Sequence, residues 1–303
     1  MKGYHYYQEY LGNKPEFLKK YLTLDILLRL KDISLLCGMD YASKYAYDFE
    51  MYISRFDHSV NVAMITWNLT HDKKATLAAL FHDVASPVFS HVIDFMNGDF
   101  INQESTEEKT EEILRSSKEL KNMLDIDNID IEDILEFKKY SVVDLDRPRM
   151  CADRLDNIIA VGMAWAKKIT VKDALMIMDS VTTSIAEDGL EEISFNNREV
   201  AEYLKLVNDS INQLTHTKED NYMMLLVADI IRKCIDLKLV TYDELFKMGE
   251  HQIMEIIEES SDEEINKLWY LFKNIKEFPD INPPEIINKN LNPLVLGKRL
   301  EEK

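Results

Sequence analysis

Arg55–His91 reads RFDHSVNVAMITWNLTHDKKATLAALFHDVASPVFSH. Phe56, Val60, Ala63, Met64 and Trp67 recur three or four residues apart, so Phe56 to Leu69 is expected to be a helix carrying His58. Ala75 to Asp83 is almost wholly apolar, which predicts a central helix closed by His82 and Asp83. Asp153 follows far downstream, in MCADRLDNI. Two imidazoles and two carboxylates meeting at one point would form a mixed nitrogen and oxygen site for a divalent metal. Polar groups so deep in apolar sequence need a partner.

The 303 residues allow one large domain or two small ones, and 46% hydrophobic residues allow a substantial core. Eight Gly and seven Pro imply few turns and long helices. A net charge of -19 argues against a nucleic-acid polymer or an anionic membrane as partner, since both need a positive field. A small anion remains open, because it needs only local cations. Cys37, Cys151 and Cys234 are odd in number and widely spaced, which fits reduced, buried thiols. The N-terminus lacks an apolar signal region, and no run approaches the roughly 18 apolar residues of a membrane span, so a cytoplasmic protein is expected.

Residues 1–16 read as an irregular arm. Phe17 to Cys37 reads as a helix stopped at Gly38. DYASKYAYDFEMYIS, residues 40–54, is aromatic without clear period and either lines a pocket or packs as a loop. Ser86-Pro87 looks like an N-cap and first helical position, starting a helix over Val88–Asn97 with Gly98 after it. Ser105-Thr106-Glu107-Glu108 has capping-box spacing, predicting a helix from Thr106 to Ser116. Short acidic helices or turns fill 118–138. Asp146 is read as the cap of a long helix reaching Lys168, with Asp153 in its second turn and Asp156 and Asn157 close by. Further helices are expected at 171–185, 198–214, 219–237, 242–259 and 262–275, with a short strand over Leu190–Phe195. The stretch from Phe278, FPDINPPEIINKNLNPLVLG, reads as an extended tail.

LLRLKDISLL, RFDHSVNVA, LAALFHDVASPVFSH and ADRLDNI, in that order over roughly residues 25–165, resemble the HD-domain superfamily of metal-dependent phosphohydrolases. The wording is closest to its deoxynucleoside triphosphate triphosphohydrolase-like branch. The resemblance implies an all-α HD-domain helical array with additional C-terminal helices. It divides the chain into a metal-binding core with its arm at 1–168 and a helical extension at 169–303, packed as one continuous domain. The chain also departs from that pattern. Ser86 and Ala85 stand where the branch has His and Gly, Thr106 falls where a further His is found, and Asn157 replaces an aromatic residue.

The expected metal ligands are His58, His82, Asp83 and Asp153. One divalent transition metal suits them, Mn, Fe, Co, Ni or Zn, with Mg a poorer fit. Asp83, Asp153 and Arg55 are the expected catalytic residues. Arg55, Arg154, His91 and Glu107 are the expected substrate-binding residues. In the resembled family the Arg matching Arg55 touches substrate phosphate, whereas Arg154 is chosen for its nearness to Asp153. Either could instead pair with a local Asp. Glu104 and Glu107 could do acid-base work, though Glu107 also suits a helix first turn. Asp57 and Asp156 either orient ligands or are surface acids. His5, His71, His216 and His251 are read as surface or packing residues. The expected reaction is hydrolysis of a nucleotide or other small phosphate ester by metal-activated water. The rivals are a monoesterase and a regulatory module that binds metal and nucleotide with little turnover. A homo-oligomer is left open.

Overall fold

The computed structural model describes residues 2–103, 105 and 107–301. Its central pair of helices forms for local reasons. Ser54 caps the helix Arg55–Thr70 by accepting from the Asp57 amide at 3.1 Å, and His71 ends it in the left-handed region. Asp72 caps the next helix, Lys73–Phe81, by accepting from the Lys74 and Ala75 amides. That second helix is buried without a break from Ala75 to Phe81. A segment apolar on all sides belongs at the centre, and here it packs against Arg55–Thr70. The helix Ala152–Ala164 also packs against Arg55–Thr70.

The fold is helical, with fifteen α-helices and one small four-stranded sheet among the described residues. The sheet order is β1 (Val181–Ile185), β2 (Glu191–Phe195), β3 (Leu294–Val295) and β4 (Lys298–Arg299). β1 and β2 are antiparallel, with Val181 opposite Phe195 and Ile185 opposite Glu191. β2 and β3 are parallel, and β3 and β4 are antiparallel. The Leu190–Phe195 strand is therefore found, while the helix expected over 171–185 ends at Ser180. Its remainder, VTTSI, is β-branched and pairs as β1 instead. The expected tail is extended only up to the sheet, where it closes as β3 and β4.

Other expectations are corrected by tertiary contacts. The N-terminal arm contains a helix, Lys2–Tyr10, which packs against Val171–Ser180. The helix expected over Phe17–Cys37 is a succession of short α and 3₁₀ turns broken at Leu24 and Ile33, both extended. Leu18, Tyr21, Leu24, Leu27, Leu30 and Ile33 are all fully buried, a strict spacing of three that favours the tighter 3₁₀ winding over 3.6. Gly38 is left-handed at φ 72°, and a Cβ there would meet the Phe89 ring.

The helix expected from Val88 begins at Val92. Phe89 and Ser90 have positive φ, because the Val88 amide goes to the Leu245 carbonyl and the Phe89 amide to Glu250. The acidic helix after residue 105 begins at Thr110, leaving Glu107 and Glu108 in a turn; Glu104 and Thr106 lie outside the described residues. The helix expected from Asp146 begins at Ala152, because the Ala152 and Asp153 amides bond the Val142 and Val143 carbonyls. That puts Asp153 in the first turn. The helix expected over 242–259 is split into Tyr242–Phe246 and Glu250–Glu258 at Gly249, where a Cβ would strike the Asp32 carboxylate. Cys151 and Cys234 are buried, Cys37 is half-buried, and all three are free thiols. No helix among the described residues is long and apolar enough to cross a membrane.

Candidate metal centre

The fold brings the four expected ligands to one point. His58 Nε2 lies 2.9 Å from Asp153 Oδ1 and 4.0 Å from Asp83 Oδ2. His82 Nε2 lies 3.6 Å from Asp153 Oδ1 and 3.8 Å from Asp83 Oδ2. His58 comes from the first turn of Arg55–Thr70, His82 and Asp83 from the end of Lys73–Phe81, and Asp153 from the start of Ala152–Ala164. Three helix ends thus meet where backbone direction changes. His58, His82 and Asp83 are buried, and Asp153 is about one-third exposed at its side chain.

The imidazoles are oriented from behind. His58 Nδ1 donates to Asp156 Oδ2 at 2.8 Å. Asp156 sits one turn beyond Asp153, is fully buried, and also accepts from Tyr4 Oη at 3.2 Å, Tyr7 Oη at 3.0 Å and Asn61 Nδ2 at 3.0 Å. His82 Nδ1 donates to the Ala79 carbonyl at 2.7 Å; a carbonyl only accepts, so the proton is on Nδ1 and Nε2 faces the other ligands. Asp57, the other expected orienting acid, accepts from Ser54 and Gln8 at the helix start. Arg29 clamps the turn after Asp83 through the Val84 and Ser86 carbonyls, at 3.1 and 2.7 Å. Ser86, read as a helix N-cap, instead donates its hydroxyl to Asp83 Oδ1 at 3.3 Å.

The electrostatics follow from this crowding. Burial opposes a charge on His58, but hydrogen bonds to Asp153 and Asp156 outweigh it and push His58 up to about 10. Burial likewise opposes charge on His82, and the charge of Asp83 raises it on balance. Burial would raise Asp83, yet Arg55, His82 and His58 hold it well below the usual carboxylate range. Asp153 is held low too, burial being outweighed by the His58 hydrogen bond and the two imidazole charges.

These residues fit a divalent cation. His82 Nε2 is buried and has no hydrogen-bond partner among the described residues. Unpaired buried nitrogens are costly, and this one points at two carboxylates. One donor atom each from His58, His82 and Asp83 lies within 4.8 Å of the others, and Asp153 is in contact with both imidazoles. Two nitrogens and two oxygens suit a transition metal. Asp144 and Cys151 also lie beside Asp153, but burial pushes the Cys151 thiol up to about 12, so it stays protonated and a poor ligand.

The centre opens into a cavity of about 370 Å³. Arg55, Arg154, His91 and Glu107 all line it, as do Tyr47 and Phe49 from the 40–54 segment. Arg55 Nη1 bonds Asp83 Oδ2 at 2.6 Å and Nε bonds Ser90 Oγ at 3.0 Å, leaving Nη2 with no partner among the described residues. Arg154 is spent on backbone: it donates to the Leu145 carbonyl at 2.8 Å and to the Arg149 carbonyl. His91 Nδ1 is tied to Asp94 at 2.8 Å, and burial holds its pKa below the ordinary value. Glu107 pairs with Lys138 at 2.8 Å. Sequence reasoning missed Tyr4, Tyr7, Asn61, Arg147 and Lys289. Asn61 and Arg29 do lie in segments that stood out, RFDHSVNVA and LLRLKDISLL.

Comparison with known proteins adds two findings. Residues 55–160 match the family described as HD domain. The chain is also 23% identical over 220 residues to "Uncharacterized protein YdhJ" of Bacillus subtilis (strain 168), a likeness covering 71% of this chain. The chain spans 64% of the length of that relative.

Proposed function

We propose that this protein is a metal-dependent phosphohydrolase acting on a nucleotide or a similar small phosphate ester. The observation that carries the reading is the convergence of His58, His82, Asp83 and Asp153 on the wall of a cavity that also holds Arg55. The HD-domain match over those same residues supports it, since HD domains as a class are metal-dependent phosphohydrolases.

His58, His82, Asp83 and Asp153 would hold the metal. A bound divalent ion supplies Lewis acidity and lowers the pKa of water. The chain does the rest. Asp83 and Asp153 are carboxylates at neutral pH, and one of them would take a proton from the attacking water. Arg55 is fixed by Asp83 and Ser90, so its Nη2, without a partner among the described residues, would bind a phosphate oxygen with little further ordering. Asp156 keeps the His58 ring in one orientation.

A nucleotide is favoured among phosphate esters by the cavity's aromatic wall. Tyr47 and Phe49 stack at 5.0 Å between centroids, and Trp165 meets each edge-on at 5.8 Å. Such a wall accepts a planar base. A module with little turnover is the second reading. It draws on Ser86, a hydroxyl bonded to Asp83 where the resembled branch has a His.

The test is a panel of nucleoside mono- and triphosphates and p-nitrophenyl phosphate, assayed with Mn, Co, Ni, Zn and Mg. Metal-dependent release of phosphate, pyrophosphate or triphosphate supports the enzyme. Stoichiometric metal with no product on any substrate favours the binding module. Failure to bind any metal rejects both.

A further inference from the structure

The cavity contains cations that the metal centre does not explain. Arg55 is paired with Asp83, and Arg154 is bound to carbonyls with Asp144 at 4.0 Å. Arg147 and Lys289 line the same cavity and have no carboxylate within ion-pair distance among the described residues. Both are pushed towards neutrality, first by burial and next by a neighbouring cation. Lys289 comes down to about 8 with Arg147 as that neighbour, and Arg147 to about 10 with Arg154 as its own. Two like charges drawn together in a partly closed space are unfavourable unless an anion joins them.

The backbone holds them there deliberately firmly. Lys289 belongs to the segment without helix or strand that lines the cavity before β3. Its amide donates to Asn212 Oδ1 at 3.0 Å, and its carbonyl accepts from Asn208 Nδ2 at 2.8 Å, both from the helix Arg198–Thr215. Asn288 is bonded to Asn212 at 2.7 Å. On the other side, Arg147 Nη1 donates to the Asn290 carbonyl at 3.4 Å, and the Asn292 amide bonds the Pro148 carbonyl at 2.8 Å. The Ile287 amide bonds the Phe100 carbonyl, while Ile286 and Ile287 line the cavity. A strap without helix or strand is thus fastened on three sides, and its one inward-facing cation is Lys289.

We propose that this strap is the phosphate-binding wall of the cavity, with Lys289 and Arg147 together gripping a phosphate group of the substrate. Lys supplies a compact point charge and Arg a planar fork, a pairing suited to tetrahedral oxyanions. The proposal rests on the phosphohydrolase reading for its substrate, but the anion site can be tested apart from turnover.

The probe is inorganic pyrophosphate, measured by titration calorimetry on the full chain without hydrolysis. Wild type is expected to bind. Lys289→Met and Arg147→Met are each expected to weaken binding by about tenfold or more, the loss of one charged hydrogen bond, while Lys289→Arg stays within about threefold. Circular dichroism and metal stoichiometry should match wild type in all three. Pyrophosphate affinity unchanged in Lys289→Met, or absent in wild type, overturns the proposal. Esters hydrolysed with an unaltered KM in Lys289→Met would sink the strap's role and leave the phosphohydrolase reading standing. Lys289-dependent binding with no hydrolysis of any ester would do the reverse.

Discussion

Asp156 Oδ2 accepts from His58 Nδ1 at 2.8 Å, while the ring's other nitrogen, Nε2, meets Asp153 Oδ1 at 2.9 Å. The imidazole is therefore held between two carboxylates, one for orientation and one for the site. Asp156→Ala is expected to leave all four ligands in place and weaken metal affinity by about 10–100-fold. The paired change Tyr4→Phe and Tyr7→Phe should fall between that variant and wild type, because it removes two of the donors that fix Asp156. A competition titration with a chelator measures both, and unaltered affinity in Asp156→Ala would show that His58 needs no support.

Metal uptake should expel a proton. His58 is raised to about 10 in the metal-free chain, so at pH 7 both ring nitrogens are protonated. Coordination at Nε2 requires that nitrogen bare, while Nδ1 keeps its hydrogen bond to Asp156. About one proton should be released from this residue at pH 7, and affinity should fall about tenfold per pH unit on acidification. Calorimetry in buffers of different ionisation enthalpy counts the protons. A release near zero contradicts the assignment of His58 as a ligand.

Arg55→Ala should keep metal stoichiometry yet raise KM about tenfold or more, since a charged hydrogen bond to substrate is lost. It also strips Asp83 of the partner at 2.6 Å, so Arg55→Lys is the needed companion. Lys retains the charge without the fork and should recover part of the KM. A KM equal to wild type in Arg55→Ala removes Arg55 from substrate binding.

Glu250 gives the stability a distinct pH dependence. It is fully buried, its Oε1 accepts from the Ser34 and Phe89 amides, and its Oε2 has no hydrogen-bond partner among the described residues. Burial pushes its pKa up from 4.5 to about 8. Between those values the folded chain holds a proton that the unfolded chain has released, so this group lowers stability as pH rises through the window. Glu250→Gln removes the titration and keeps the acceptor. The variant should melt above wild type at pH 9, by about 2–4 °C per kcal/mol recovered, and the gap should close towards pH 5. Melting curves whose separation does not change with pH would refute this.

The four residues of the candidate metal centre stood out because each carries its signal locally: His58 on a periodic helix, His82 and Asp83 at the end of an apolar run, Asp153 in the short segment ADRLDNI. Helix starts were less legible wherever a distant group takes the amide. Val88 and Phe89 looked ready to open a helix, but Leu245 and Glu250 claim their N–H groups. The Phe17–Cys37 stretch misled because a spacing of three passes for 3.6 over a few turns. Tyr4, Arg147 and Lys289 had no signal at all. Each matters through a partner more than a hundred residues away, or through a strap whose sequence only says that it is not helical.

The strap also ties distant stretches of sequence into one chamber. His58 and Asp83 share the cavity with Lys289 although more than two hundred residues lie between, and β2 pairs with β3 across about a hundred. A chamber assembled this way exists only in the folded chain, because no local segment supplies more than one part of it.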